Sequence, residues 1–370
     1  MNWLAIFTYA PFAVGALTFL VFAAAERMRT RWRAVWAMVL LLAFSKFLCF
    51  DVFGGHAFNP ELPQEIIWAW DWLYSGAMIL CPLAVMTVFL RGRWRVRLLP
   101  AVAWGLSAWG LYNGVRAPGV REVALEFQNL PESLDGYRIV QIADLHASCA
   151  ARAWRTEAVV DAVNALSPDL ICITGDNCDG RVETASRYIE PLKRLRAKDG
   201  VFGCTGNHEY YYGFNEWKAG FYDAATNLHV LCNKCVFPRP GLALAGVPDE
   251  TGWQLLGLDA PPDVFAAFAA ATNGEFRVLM QHRPESAPVN CLEHGVRLQL
   301  SGHTHGGIAP GLREFIARFN GGYSVGPYRI GRSWLYVSPG CGQWAGFPMR
   351  FFNPSEITLI TLRLSGGSGK

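Results

Sequence analysis

Five short clusters concentrate the side chains that bind divalent cations: Asp144-Leu145-His146, Gly175-Asp176, Gly206-Asn207-His208-Glu209, Gln281-His282 and Gly302-His303-Thr304-His305. They take five of the eight histidines in the chain. Asp-x-His and His-x-His spacing lets an extended or turning strand end aim both side chains at one centre. Asp144, His146, Asp176, Asn207, His282, His303 and His305 supply nitrogen and oxygen donors without sulfur, and more of them than a tetrahedral structural zinc site uses. The surplus predicts two divalent ions, of Mn, Fe or Zn by ligand type, with one carboxylate shared. Paired cations about 3.5–4 Å apart suit phosphoester hydrolysis, because they lower the pKa of water and neutralise the phosphoryl oxygens. Gly175, Gly206, Gly302, Gly306 and Gly307 permit tight turns and close approach of a phosphate.

Such clusters need a scaffold that ends several strands at one place. From Glu122 onward, short β-rich apolar runs alternate with helical periodicity. The runs predict strands at 138–143, 170–174, 201–205, 242–247, 276–281, 296–301, 334–337 and 357–362. Apolar spacing predicts helices at 156–166, 184–196, 215–226 and 263–271. The alternation points to an α/β domain. Each cluster comes at the carboxyl end of a predicted strand, where reacting groups collect in α/β sheets.

The ordered set DLH, GDNCD, GNHE, a later lone His and GHTHGG resembles the calcineurin-like metallophosphoesterase family, over roughly residues 122–364. The preceding apolar segments make it similar to the membrane-bound bacterial members. The resemblance implies a calcineurin-like two-sheet β-sandwich flanked by helices. It implies one ion held by Asp144, His146, Asp176 and His305, and a second by Asp176, Asn207, His282 and His303. It also implies that His208 is the catalytic histidine, with Glu209 orienting it. The sequence departs from the family pattern in reading DLHAS where a small glycine is common, and in placing Ala143 before Asp144 where Ser is frequent. Both changes bear on the loop around the phosphate, and so on substrate fit. Asp179 completes a GDxxD spacing and is expected to cap or brace its loop. His56, His229 and His294 lack such company and are expected to be structural, while Tyr210, Tyr211 and Tyr212 either line the pocket or pack.

Hydrophobic residues make up 52% of the 370 and charged residues 17%, against about 25% charged in ordinary soluble proteins. The imbalance lies in residues 1–115. Residues 3–25 are uncharged and long enough to cross about 30 Å of hydrocarbon as a helix, and no basic leader of a secretory signal precedes them. Runs at 34–50, 72–90 and 98–115 contain a single charge, Lys46. The expectation is a four-helix transmembrane domain over 1–115, a metallophosphoesterase domain over 116–364, and an appended linker, SGGSGK, over 365–370. Arg27, Arg29, Arg31 and Arg33 fill one loop and Arg91, Arg93, Arg95 and Arg97 another, whereas residues 51–71 have no Lys or Arg. The positive-inside rule then places the catalytic domain outside the cytoplasm, in a protein of the bacterial inner membrane. Lys46 is expected to snorkel or to pair with Asp51, and Trp32, Trp68, Trp70, Trp72 and Trp94 suit interfacial belts.

Residues 116–364 carry no basic excess, which speaks against nucleic acid as a partner. The expected partners are membrane lipids and a phosphorylated, lipid-linked substrate. Three other readings stay open: a nucleotide phosphodiesterase merely tethered to the membrane, a UDP-diacylglucosamine pyrophosphatase with a cytoplasmic catalytic face, and a non-catalytic membrane receptor. Leu312, Phe315, Ile316 and Phe319 follow GHTHGG at helical spacing, and Trp344, Phe347, Phe351 and Phe352 come later, either as core or as an apolar rim on the bilayer. In an oxidising compartment Cys149 and Cys178 could pair beside the metal loops, and Cys232 with Cys235 could form a local disulfide.

Overall fold

A computed structural model describes residues 3–24, 28–54, 58–90, 92–225, 227–254, 257, 260–272, 274–307, 311–346 and 348–365. His56, Ile308, Phe347 and residues 366–370 lie outside them. The chain divides into two units: Met1–Val115 with Trp344–Phe351, and Arg116–Gln343 with Phe352–Lys370.

Apolar runs make the first unit helical: α1 (Trp3–Thr18), α2 (Thr30–Phe44), α3 (Lys46–Gly54), α4 (Gln64–Met86) and α5 (Arg93–Val115). The four membrane-crossing helices expected here are not found. Among the described residues only α4 is long and apolar enough to span a bilayer, and α2 with α3, bent by 58°, count as a second only if the broken pair is one span. α1 gives way to a π turn at Phe19. α5 has the length, but Trp, Gly, Ser and Asn dilute its apolar face and arginines crowd its start. It runs antiparallel to α4: Trp72 Nε1 donates to Trp104 O at one end and Arg95 Nη2 to Ala84 O at the other. Lys46 neither snorkels nor meets Asp51. It is fully buried, 2.7 Å from Asp71 Oδ1, and donates to Ala345 O at 2.7 Å.

The second unit is built on strands β1 (Gly119–Phe127), β2 (Arg138–Ile142), β3 (Leu170–Thr174), β4 (Val201–Cys204), β5 (Leu228–Val230), β6 (Lys234–Arg239), β7 (Leu242–Gly246), β8 (Phe276–Met280), β9 (Leu298–Ser301), β10 (Gly326–Ile330), β11 (Ser333–Val337) and β12 (Glu356–Leu364). They form two sheets, ordered β1-β12-β2-β3-β4-β5 and β10-β11-β9-β8-β7-β6. Strands β2 to β5 are mutually parallel, as are β7, β8, β9 and β11. Parallel strands are covered on both faces, which explains why LICIT and LALAG are buried along their whole length and read as unbroken apolar runs.

Ile139, Leu170, Leu244, Val278, Met280, Leu298, Leu300 and Ile360 fill one buried cluster contributed by both sheets. Side chains alternate along a strand, so Val140, Ile142, Ile171 and Ile173 point the other way and pack on Val159, Val160 and Val163 of α6 (Arg152–Ala165) and on Ile189 of α7 (Val182–Ile189). Each such side chain contributes about 1.5–3 kcal/mol of burial. Gln141 Nε2 donates to Thr174 Oγ1 (3.0 Å) and to Ser301 O (2.9 Å), tying the two sheets together where β3 and β9 end.

Candidate metal centre

Five segments leave their strands on one edge. β2 hands over to Asp144 and His146, β3 to Asp176, β4 to Asn207 at the start of α8 (Asn207–Tyr211), β8 to His282, and β9 to His303 and His305. Asp144 N donates to Gly175 O (3.1 Å) and His146 N to Asp176 O (3.0 Å), which sets the first two loops side by side. A Cβ at Gly206 would collide with the Asp176 carboxylate, and one at Gly302 with that of Asp144. Gly206 and Gly302 thus make room for the two carboxylates. Asp144, His146, Asp176, His303 and His305 all take left-handed φ, between 44° and 71°. That conformation costs a non-glycine residue about 1–3 kcal/mol and persists where the surroundings over-determine it.

The donor atoms gather in two groups that share one residue. In the first, His146 Nε2 lies 3.1 Å from His305 Nε2, and His305 Nε2 lies 3.9 Å from Asp144 Oδ1. In the second, His282 Nε2 is 3.2 Å from both Asp176 Oδ2 and His303 Nδ1. Asp176 Oδ2 is also 3.8 Å from His146 Nε2, so one carboxylate oxygen stands between the groups. Both groups have the spacing of a metal triad, Asp144-His146-His305 and Asp176-His282-His303. Asn207 Oδ1 is buried without a hydrogen-bond partner among the described residues, a loss of about 1–3 kcal/mol that a cation beside it would remove. Carboxylate, imidazole and amide oxygen without thiolate fit Mn, Fe or Zn.

Burial and mutual charge displace the titration of these groups. Burial alone lowers the His282 pKa, but Asp176 and then Asp144 outweigh it and push it up to about 10. His208 is buried too, and Asp176 with Asp179 carries it up to about 9. Burial, joined by the His282 charge, takes His303 down to about 3. Burial likewise holds Asp144 above the usual carboxylate range. Asp179 is held below that range, because His146 and His208 overcome its own burial.

The expected partnership of His208 with Glu209 is replaced by another. His208 Nδ1 lies 2.5 Å from Asp179 Oδ1, which is also 3.1 Å from His146 Nδ1. Glu209 instead accepts the backbone N–H groups of Gly206 (2.7 Å), Asn177 (2.7 Å) and Asp176 (3.0 Å), pinning two motif loops together. Three free N–H groups at that crossing explain the preference, since they satisfy both carboxylate oxygens without displacing Asp179. The GDxxD spacing was the only sequence signal for Asp179. Tyr210 packs, buried and 3.1 Å from Thr205 Oγ1, whereas Tyr211 is exposed with its ring 5.3 Å from that of His208. His229 and His294 join none of the donor groups. No disulfide links Cys149 to Cys178 or Cys232 to Cys235.

The calcineurin-like phosphoesterase family profile matches residues 137–307. The chain is 31% identical over 265 residues to a transmembrane protein with metallophosphoesterase domain from Danio rerio, covering 70% of this chain and 60% of that one. It is 32% identical over 255 residues to an uncharacterized metallophosphoesterase of Helicobacter pylori, covering 68% and 66%. A transmembrane protein with metallophosphoesterase domain from Bos taurus aligns over 365 residues at 29% identity, covering 90% and 80%. The chain thus spans less than two thirds of the length of the first two relatives. Sheets, donor groups and family match together define a calcineurin-like metallophosphoesterase domain. That domain carries the donor set of a metal-dependent hydrolase with a two-ion centre.

Proposed function

We propose that this protein is a membrane-anchored phosphoesterase that hydrolyses a lipid-linked phosphoester or pyrophosphate on the extracytoplasmic face. The observation that carries the hydrolytic part is the convergence of two donor groups on Asp176 Oδ2. Two divalent cations bound there would supply an activated water and offset the charge on the phosphoryl oxygens. Asp176 spaces the two groups, and Asn207 adds an amide oxygen. His208 has Nδ1 held by Asp179, and before metal binds the Asp176 and Asp179 carboxylates push its pKa up to about 9. It presents Nε2 to the reacting phosphoryl group, stabilising its charge and giving a proton to the departing oxygen.

The anchor is the helical unit: α4 is apolar enough to span by itself, and α5, less apolar, is read as crossing beside it as the return arm of a hairpin. Because α5 returns alongside α4, an anchor made of that hairpin puts Arg95 and Arg97 towards its tip. Positive charge favours the cytoplasmic side, so the chain leaves α5 on the opposite side. The lipid-linked substrate is supported by the helix Leu312–Arg318, seven residues beyond His305. None of its residues is buried, and Leu312 and Phe315, with Phe319 just after the helix, expose 47%, 54% and 71% of their surface. An apolar rim of this kind next to a phosphate site suits an acyl or isoprenoid chain.

Full-length protein with added Mn2+ should release phosphate from an isoprenoid or diacylglycerol phosphate in mixed micelles. The F315S/F319S double variant should raise KM for that substrate about fivefold or more, with a much smaller effect on p-nitrophenyl phosphate. Equal effects on both substrates would remove the lipid assignment. A periplasm-active reporter fused after Leu364 that stays silent would remove the extracytoplasmic face.

A further inference from the structure

Arg283 is the only Lys or Arg next in sequence to any of the seven candidate ligands, directly after His282. Its guanidinium is fixed. Nε donates to Asp249 Oδ2 at 2.8 Å, and Nη2 donates to Asp249 Oδ1 at 3.3 Å and to Thr251 Oγ1 at 3.0 Å. Asp249 N in turn donates to Thr205 Oγ1 at 3.0 Å, and Thr205 Oγ1 lies 3.1 Å from the Tyr210 hydroxyl. The fork is therefore joined to the His282 loop by the chain and to the Asn207–His208 loop by hydrogen bonds. Asp249 is almost wholly buried, yet the Arg283 side chain keeps 26% of its surface exposed. Nη1 makes no hydrogen bond among the described residues. A guanidinium held on one side by a buried carboxylate, with a nitrogen left over on the other, is pre-organised to take phosphate oxygens.

We propose that Arg283 binds a second anionic group of the substrate, next to the phosphoryl group at the two cations, so that the preferred substrates carry two neighbouring anionic groups, as organic pyrophosphates do. The proposal rests on the hydrolase reading of the metal centre and narrows its substrate class. With such a substrate, water adds across the P–O–P linkage. One new P–O bond forms, the bridging P–O bond breaks, and each of the two phosphomonoester products takes one of the water's protons.

The test compares full-length protein in detergent, with Mn2+, on a symmetric dialkyl pyrophosphate and on bis(p-nitrophenyl) phosphate. R283Q should lower the ratio of kcat/KM for pyrophosphate over diester roughly tenfold or more, carried mainly by KM. R283K should recover part of that ratio, because it restores the charge without the fork. Methylenediphosphonate, a non-hydrolysable pyrophosphate, should inhibit wild type more tightly than R283Q by a similar factor. Equal losses on both substrates, with no change in diphosphonate inhibition, would assign Arg283 to bracing Asp249 and overturn the proposal. A wild-type protein that hydrolyses neither substrate would instead sink the phosphoesterase reading and the proposal with it, without any Arg283 variant being made.

Discussion

Both units bury charged groups, and they dispose of them in opposite ways. In the helical unit Lys46 and Asp71 close on each other at 2.7 Å, and the ammonium adds Ala345 O and the faces of Phe47, Phe50 and Tyr74. At the sheet edge, imidazole nitrogens face one another at 3.1–3.2 Å, one carboxylate oxygen serves two groups, and a buried amide oxygen has no partner. The backbone there is also left-handed at five of the seven donors. Buried charge alone therefore does not mark a functional centre. Opposite charges closed on each other read as structure, and several nitrogen and oxygen donors converging on one another read as a place for cations.

The comparison breaks first at Asp176, the residue that both groups share. Asp176→Asn should lower hydrolysis at least about 10³-fold while the purified protein keeps its circular dichroism. Activity within tenfold of wild type would mean that the groups work without a shared carboxylate. On the other side of the comparison, Lys46→Met leaves Asp71 alone in an apolar surround and should cost about 3–5 kcal/mol, seen as a lower melting temperature in detergent. The Lys46→Met/Asp71→Leu double variant should recover most of that loss. A double variant as unstable as the single would give the pair a role beyond satisfying itself.

A smaller effect is expected at Asp179, which acts through His208. Asp179→Asn should reduce kcat about 10–100-fold and leave KM nearly unchanged. The alkaline limb of the pH–rate profile, where His208 loses its proton, should move to lower pH because a carboxylate that raises its pKa is gone. An unmoved limb would detach Asp179 from the catalytic histidine. The smallest signal is a proton count. At pH 8 the His282 imidazole, with a pKa near 10 before metal binds, holds a proton that a cation must displace. Calorimetry in buffers of different ionisation enthalpy should show about one proton released per chain on loading, and apparent affinity rising with pH up to about 10. Zero release would place the cations elsewhere.

The two units were not equally legible in sequence. Strands such as β3 and β7 are continuous apolar runs because both faces are covered, so their carboxyl ends, and with them the donors at Asp144, Asp176, Asn207, His282, His303 and His305, could be placed from pattern alone. β1, exposed along its first four residues, and β5, three residues long, offered no such pattern. In the helical unit hydropathy counted four runs, but it is blind to the bend between α2 and α3 and to the π turn after α1. It also paired Lys46 with Asp51, five residues away, whereas helix packing brings up Asp71. Glu209 and Asp179 exchanged expected roles for a related reason. Adjacency in sequence favoured Glu209, and only the loop geometry reveals three backbone donors that claim it.

Metal content tests the two-group centre most directly. Protein saturated with Mn2+ or Zn2+, freed of excess ion and measured by inductively coupled plasma mass spectrometry, should hold about two ions per chain, and Asp176→Ala about one or fewer. One ion or none in the wild type, or two retained in Asp176→Ala, would contradict a centre built around that carboxylate.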